Sequence, residues 1–275
     1  MAAVPVAEEV FPWSSECWPD INDKEEFWDD VNGGWLDPVN VRAARAEELE
    51  RMVKRGVFIK VPELECRTKQ GNPLTFTWID TVKSDGRYRS RLVVREIKKA
   101  KSVDEKLDPQ AVFSSMPPVE CLKMMVSEMM TVERGNGAKA PTKRMAIWDV
   151  SRAHFDAEVE REVYTNLPEE MAQEGIAAKL MRTMYGTQDA SNIWGEIWIK
   201  HLNKADIVEG NANRAYSPGA GVKCFCHGDD FVGLGEDEDL EKFGAHLKKA
   251  FDLRPSTKIG FGEGVEKVMT VLNRN

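Results

Sequence analysis

Two stretches, RMAIWDV at 144–150 and VKCFCHGDDFVGL at 222–234, decide how this chain folds. Each apolar run has strand length and is rich in β-branched or aromatic residues. The four residues His227-Gly228-Asp229-Asp230 separate two such runs as a tight hairpin turn does. The first stretch ends its strand in Asp149, and the second carries Asp229 and Asp230 at a hairpin tip. Carboxylates held beside apolar strands repel one another and lose hydration unless a cation neutralises them. Hard carboxylate oxygens suit Mg²⁺, which keeps positions open for water and phosphate oxygens. Two such ions about 3.5–4 Å apart can drive an in-line phosphoryl transfer. An Asp-Asp dipeptide alone reads first as a polar hairpin turn, so the rest of the chain must decide.

Working outward, Asp37-Pro38 begins a surface helix that runs to Gly56, with Asp as cap and Pro in the first turn. GVFIKV, LTFTWIDTVK and YRSRLVVREI read as strands, and Ser84-Asp85-Gly86 turns the last two into a hairpin. Leu122, Met125, Val126, Met129 and Met130 recur at helical spacing and predict a core-facing helix from Pro118 to Arg134. REVYTNL predicts a strand. Ile193, Trp194, Ile197, Trp198 and Leu202 mark a helix over 188–204. Leu240, Phe243, Leu247 and Phe251 mark another, acidic at its start and basic at Lys248 and Lys249, as the helix dipole favours. KVMTVL is expected as a closing strand. Hairpins and irregular alternation predict an α+β fold, with helices on one face of a largely antiparallel sheet.

The 275 residues carry a net charge of −8, spread unevenly. Residues 1–50 hold thirteen acidic against three basic residues, a balance of −10 that leaves +2 for the remainder. Residues 1–28 therefore read as an acidic, poorly ordered arm. Between Lys83 and Lys101 eight basic residues face two acidic ones, a density suited to a phosphate backbone or triphosphate, or to a solvated surface. Five cysteines without a Cys-x-x-Cys pair fit free thiols in a reducing compartment, and Cys224 and Cys226 read as core. With no spanning apolar run and no signal-peptide pattern, an intracellular protein, cytoplasmic or nuclear, is expected.

Four blocks in order, WIDTVKSDGRYRSRLVVREI, IWDVSRAHFDAEVEREVYTNLPEE, LMRTMYGTQDASNIW and CFCHGDDFVGLG, resemble the Ty1/copia-type retrotransposon reverse transcriptases. The resemblance implies a reverse-transcriptase-like fingers and palm, with the leading helix and fingers over 29–117 and the palm over 118–275. It implies RNA-directed DNA synthesis on a primed RNA or DNA template, from deoxynucleoside triphosphates. Two Mg²⁺ ions, replaceable by Mn²⁺, would be held by Asp149, Asp229 and Asp230. Arg89 and Arg91 match the basic residues that hold the triphosphate, and Gln188 matches a glutamine lining the nucleotide pocket. His154 stands where the family has an aromatic under the sugar, with Phe155 as the alternative gate. His227-Gly228 replaces the usual Tyr and apolar residue before the Asp pair. The family's thumb, which follows the palm, is expected to be absent, making activity weak unless a partner chain supplies it, and a ribonuclease H would likewise lie on a partner chain. An inactive remnant that binds nucleic acid, and a palm-fold nucleotidyl cyclase with a similar Gly-Asp-Asp-Phe hairpin, are the competing readings.

Overall fold

The computed structural model describes residues 26–96, 118–131, 142–151, 153–204, 221–261 and 265–268. Most of the acidic arm, Cys17, the end of the basic cluster and the closing strand beyond Val268 lie outside the described residues. The chain divides into two compact units, one of 1–100 with 158–187 and one of 101–157 with 188–275.

In the first unit the strands are β1 (Phe27–Trp28), β2 (Trp35–Leu36), β3 (Phe58–Pro62), β4 (Phe76–Val82), β5 (Tyr88–Val94), β7 (Tyr164–Thr165) and β8 (Ile176–Leu180). Its helices are α1 (Pro38–Lys54) and α2 (Glu63–Lys69). Asp37 caps α1 by accepting from the Asn40 N–H at 2.9 Å, and Pro38 opens the helix, as the sequence requires. β4 and β5 form the expected antiparallel hairpin, with Gly86 at φ 81° in its turn. β3, β8 and β7 make a second antiparallel sheet. Residues 158–187, which the sequence assigns to the palm segment, therefore pack with the first unit, because β8 pairs with β3 along its whole length. Gly186 is dictated by this unit: its φ is 90°, and a Cβ there would collide with the Val94 carbonyl oxygen. Arg45 ties the unit together, its Nη2 donating to Asp80 Oδ2 at 2.6 Å while its guanidinium lies over Phe27 and Trp78.

In the second unit a four-stranded antiparallel sheet runs β11 (Thr257–Ile259), β6 (Arg144–Asp149), β10 (Asp230–Gly235), β9 (Lys223–His227). Its helices are α3 (Val119–Met129), α4 (Ala190–Asn203) and α5 (Asp237–Leu247). Helices cover both faces of this sheet, not one as expected. Ala146, Trp148, Cys224, Cys226 and Phe231 pack with Trp194, Trp198, Leu240, Phe243 and Leu247 of α4 and α5. Met145, Phe225, Val232 and Leu234, on alternate positions, pack with Leu122, Met125 and Met129 of α3. The physical reason lies in the central strands, which are apolar on both faces and must be buried on both. The methionine stripe is narrower than its spacing suggests, since Val126 and Met130 are 39% and 54% exposed. β11 lies upstream of the expected KVMTVL, of which Lys267 and Val268 are described and form no strand. No helix among the described residues is long and apolar enough to cross a membrane.

Candidate active site

Register places the carboxylates. β10 pairs antiparallel with β6 so that Asp230 stands directly opposite Asp149, and with β9 so that Asp230 also faces His227. Directly opposed residues project to the same face with Cβ atoms about 4.5–5.5 Å apart, so the two carboxylates share one corner of the sheet. Both fall on the face that carries Met145, Val232 and Leu234, one step beyond the apolar cover of α3. Apolar packing thus fixes the strands, and the polar pair emerges where that packing ends.

The turn between β9 and β10 is held from beneath. Gly228 adopts φ 64°, which a residue with a side chain resists. Its carbonyl accepts the indole N–H of Trp194 at 2.8 Å and the thiol of Cys226 at 3.4 Å. The Asp229 carbonyl accepts the Val150 N–H at 2.9 Å, stitching the hairpin tip to the end of β6. Cys224 and Cys226 are buried as expected. Burial pushes the Cys224 thiol up to about 12, and Cys226 rises well above its ordinary value through burial first and nearby negative charge second.

Electrostatic crowding is evident at Asp230, whose pKa is pushed up to about 6. Burial is the largest cause, the charges of Asp149 and Asp229 add to it, and Arg254 opposes them. Arg254 escaped the sequence reading. Its Nη1 donates to Asp149 Oδ2 at 2.6 Å, and its backbone N–H donates to the Asp149 carbonyl at 3.0 Å. Nothing local in FDLRPST marks Arg254, because the contact spans about a hundred residues of chain.

Among the described residues no group of three His, Cys, Asp or Glu side chains forms a cage that could hold a metal ion by itself. The donor set nevertheless fits a hard cation in an open site. Two facing carboxylates and a third adjoining one would offer oxygen ligands, and mutual repulsion of the kind that raises Asp230 is what a divalent ion relieves.

The remaining candidates divide between the units. His154 and Phe155 lie in a 3-10 turn, Ala153–Asp156, just after Asp149. Phe155 is 2% exposed and belongs to the interior, whereas His154 is half-buried. Gln188 is half-buried just ahead of α4. Arg89 and Arg91 lie in the first unit, two apart on β5 and so on one face of it, and Arg91 has its guanidinium over the Tyr185 ring at 4.9 Å.

The family model described as reverse transcriptase (RNA-dependent DNA polymerase) matches residues 60–270. None of the curated proteins matches the chain. Among solved structures, the foamy viral protease-reverse transcriptase, in complex with double-stranded DNA, is similar with a TM-score of 0.46 at 13% identity. The likeness covers 85% of this chain and 33% of that one, so this chain spans about a third of that protein's length.

Proposed function

The chain belongs to the reverse transcriptase (RNA-dependent DNA polymerase) family, and from that premise we propose that it extends a primer 3′-hydroxyl with deoxynucleoside triphosphates on an RNA or DNA template. The observation that carries this reading is the cross-strand pairing of Asp149 with Asp230 beside Asp229. In this reading the two units serve as fingers and palm, and the resemblance of the four ordered sequence blocks supports the Ty1/copia branch.

Asp149, Asp229 and Asp230 would hold two Mg²⁺ ions, or Mn²⁺ in their place. Bound there, the ions would supply activation of the attacking hydroxyl and stabilisation of the leaving oxygen. The chain's own residues do the positioning. Trp194 and Cys226 fix the Gly228 carbonyl and with it the Asp229-Asp230 tip. Arg89 and Arg91 would hold the triphosphate, since guanidinium groups suit phosphate oxygens. Gln188 would line the nucleotide pocket. The burial of Phe155 favours His154 as the residue beside the sugar. A partner chain supplying a thumb or ribonuclease H belongs to the same reading.

The test is primer extension with Mg²⁺ on RNA and DNA templates, alongside a binding measurement on the same primer–template. Asp149→Asn and Asp230→Asn should each cut extension by about 10²-fold or more, the effect of losing several kcal/mol of charge stabilisation, with binding retained. Extension that survives both substitutions would refute the assignment, and binding without any extension by the wild type would mark an inactive remnant.

A further inference from the structure

Arg254 is held beside Asp149 by more than its side chain. The Arg254 N–H bonds the Asp149 carbonyl, Leu253 bridges Val150, and the Ser151 N–H donates to the Asp252 carbonyl at 2.7 Å. Just upstream, Phe251 is buried against Trp194 and His201, with ring centroids 5.1 Å away in each case, and stacks on Phe231 at 6.1 Å. Core packing and backbone bonds thus fix where the Arg254 side chain starts, and the guanidinium completes the contact at Asp149 Oδ2. The two side chains remain 37% and 34% exposed, so water and ions reach the pair.

We propose that Arg254 is a built-in counter-cation that competes with divalent cations for the Asp149 carboxylate and so sets the metal affinity of the Asp149–Asp229–Asp230 cluster. The inference rests on the polymerase reading only in taking that cluster as the metal site. The Asp149 lone pair that accepts the guanidinium N–H at 2.6 Å is not free to coordinate, so a cation entering there must displace the arginine or share Asp149 with it. The fixed positive charge also repels the entering ion. At this exposure solvent screening keeps both effects moderate, equivalent to about a three- to tenfold change in affinity. Between metal-binding events the same charge offsets repulsion among the three carboxylates and keeps the hairpin tip in register with β6. Arg254 is therefore a positioning residue, acting through Asp149.

The experiment is a Mn²⁺ titration of the full chain, followed by the electron paramagnetic resonance signal of free Mn²⁺, with thermal melting in EDTA and in Mn²⁺. The proteins compared are the wild type, Arg254→Gln, Arg254→Lys and Asp230→Asn. Arg254→Gln should bind Mn²⁺ about three- to tenfold more tightly. It should also melt lower in EDTA and gain more from Mn²⁺ than the wild type does. Arg254→Lys, which keeps the charge, should stay within about twofold of wild type. Arg254→Met, which keeps the aliphatic stem, repeats the measurement if glutamine disturbs folding. Affinity that is unchanged or weaker in the neutral variants, or equally raised in the lysine variant, would overturn the proposal. If Asp230→Asn abolishes binding while the neutral variants bind no tighter, only the role of Arg254 falls. If Asp230→Asn binds as the wild type does, or neither binds, the metal reading falls with it.

Discussion

A single methyl group at Gly244 tests how the carboxylate strand is held. Trp148 precedes Asp149 on β6, is 3% exposed, and meets Phe243 edge-on at 5.0 Å. Its indole occupies a slot made by two glycines. A Cβ at Gly244 would stand 2.6 Å from Trp148 Nε1, and one at Gly233 would stand 2.7 Å from its Cζ3. Gly244 lies within α5, so Gly244→Ala changes two things of opposite sign. Helix propensity gains about 1 kcal/mol, while overpacking against a ring with no room to retreat costs about 1–3 kcal/mol. The net expectation in the wild-type background is a loss of up to about 2 kcal/mol. Trp148→Leu removes the indole nitrogen, so in that background only the propensity gain remains, and Gly244→Ala should stabilise by about 1 kcal/mol. Urea denaturation of the four proteins in the double-mutant cycle reads this change of sign directly. Stabilisation by Gly244→Ala in the wild-type background, or an equal effect in both backgrounds, would refute the steric argument. Extension should suffer more than stability does, because displacing Trp148 shifts its neighbour Asp149, and a misplacement of about 1 Å can cost about 10²-fold in rate.

Three further outcomes follow from other contacts. Trp194→Phe keeps the ring in the core but removes the donor to the Gly228 carbonyl, so stability should fall by about 1 kcal/mol and kcat should fall with little change in KM, as steady-state extension will show. Asp80→Ala removes the short ion pair of Arg45 and leaves its guanidinium, among Phe27 and Trp78, with the longer contact to Glu170 at 3.9 Å, so it should cost about 2–3 kcal/mol by urea denaturation. His201 stacks on His246 at 4.2 Å, each ring nitrogen bonding the other residue's carbonyl, and its pKa is lowered from 6.5 chiefly by burial, with the charges of His246, Lys204 and Lys249 adding. The fold thus favours its neutral ring: this contribution is complete above about pH 6.5 and is lost as pH falls from there through the folded value. Melting temperature should drop on acidification from pH 7 to about pH 5, and His201→Phe should flatten that drop.

Sequence alone determined the parts of this protein whose signals are local. Asp37-Pro38 opens a helix, Ser84-Asp85-Gly86 turns a hairpin, and the apolar runs around Asp149 and around Asp229-Asp230 make strands, because capping, turn chemistry and hydrophobic period act over a few residues. The same locality left α2 and β8 unread. ELECRTK spans only two turns behind Pro62, and the Ala177-Ala178-Lys179 segment of β8 has weak intrinsic preference for a strand, so pairing with β3 decides it. Only the tertiary structure decided that Asp149 faces Asp230, since a slip of one residue in that pairing would turn one carboxylate to the other side of the sheet. It also put 158–187 with the first unit, covered both faces of the second sheet, and brought Arg254 to Asp149. Each of these rests on contacts between residues far apart in the chain, whose free energy exists only once the strands between them are packed.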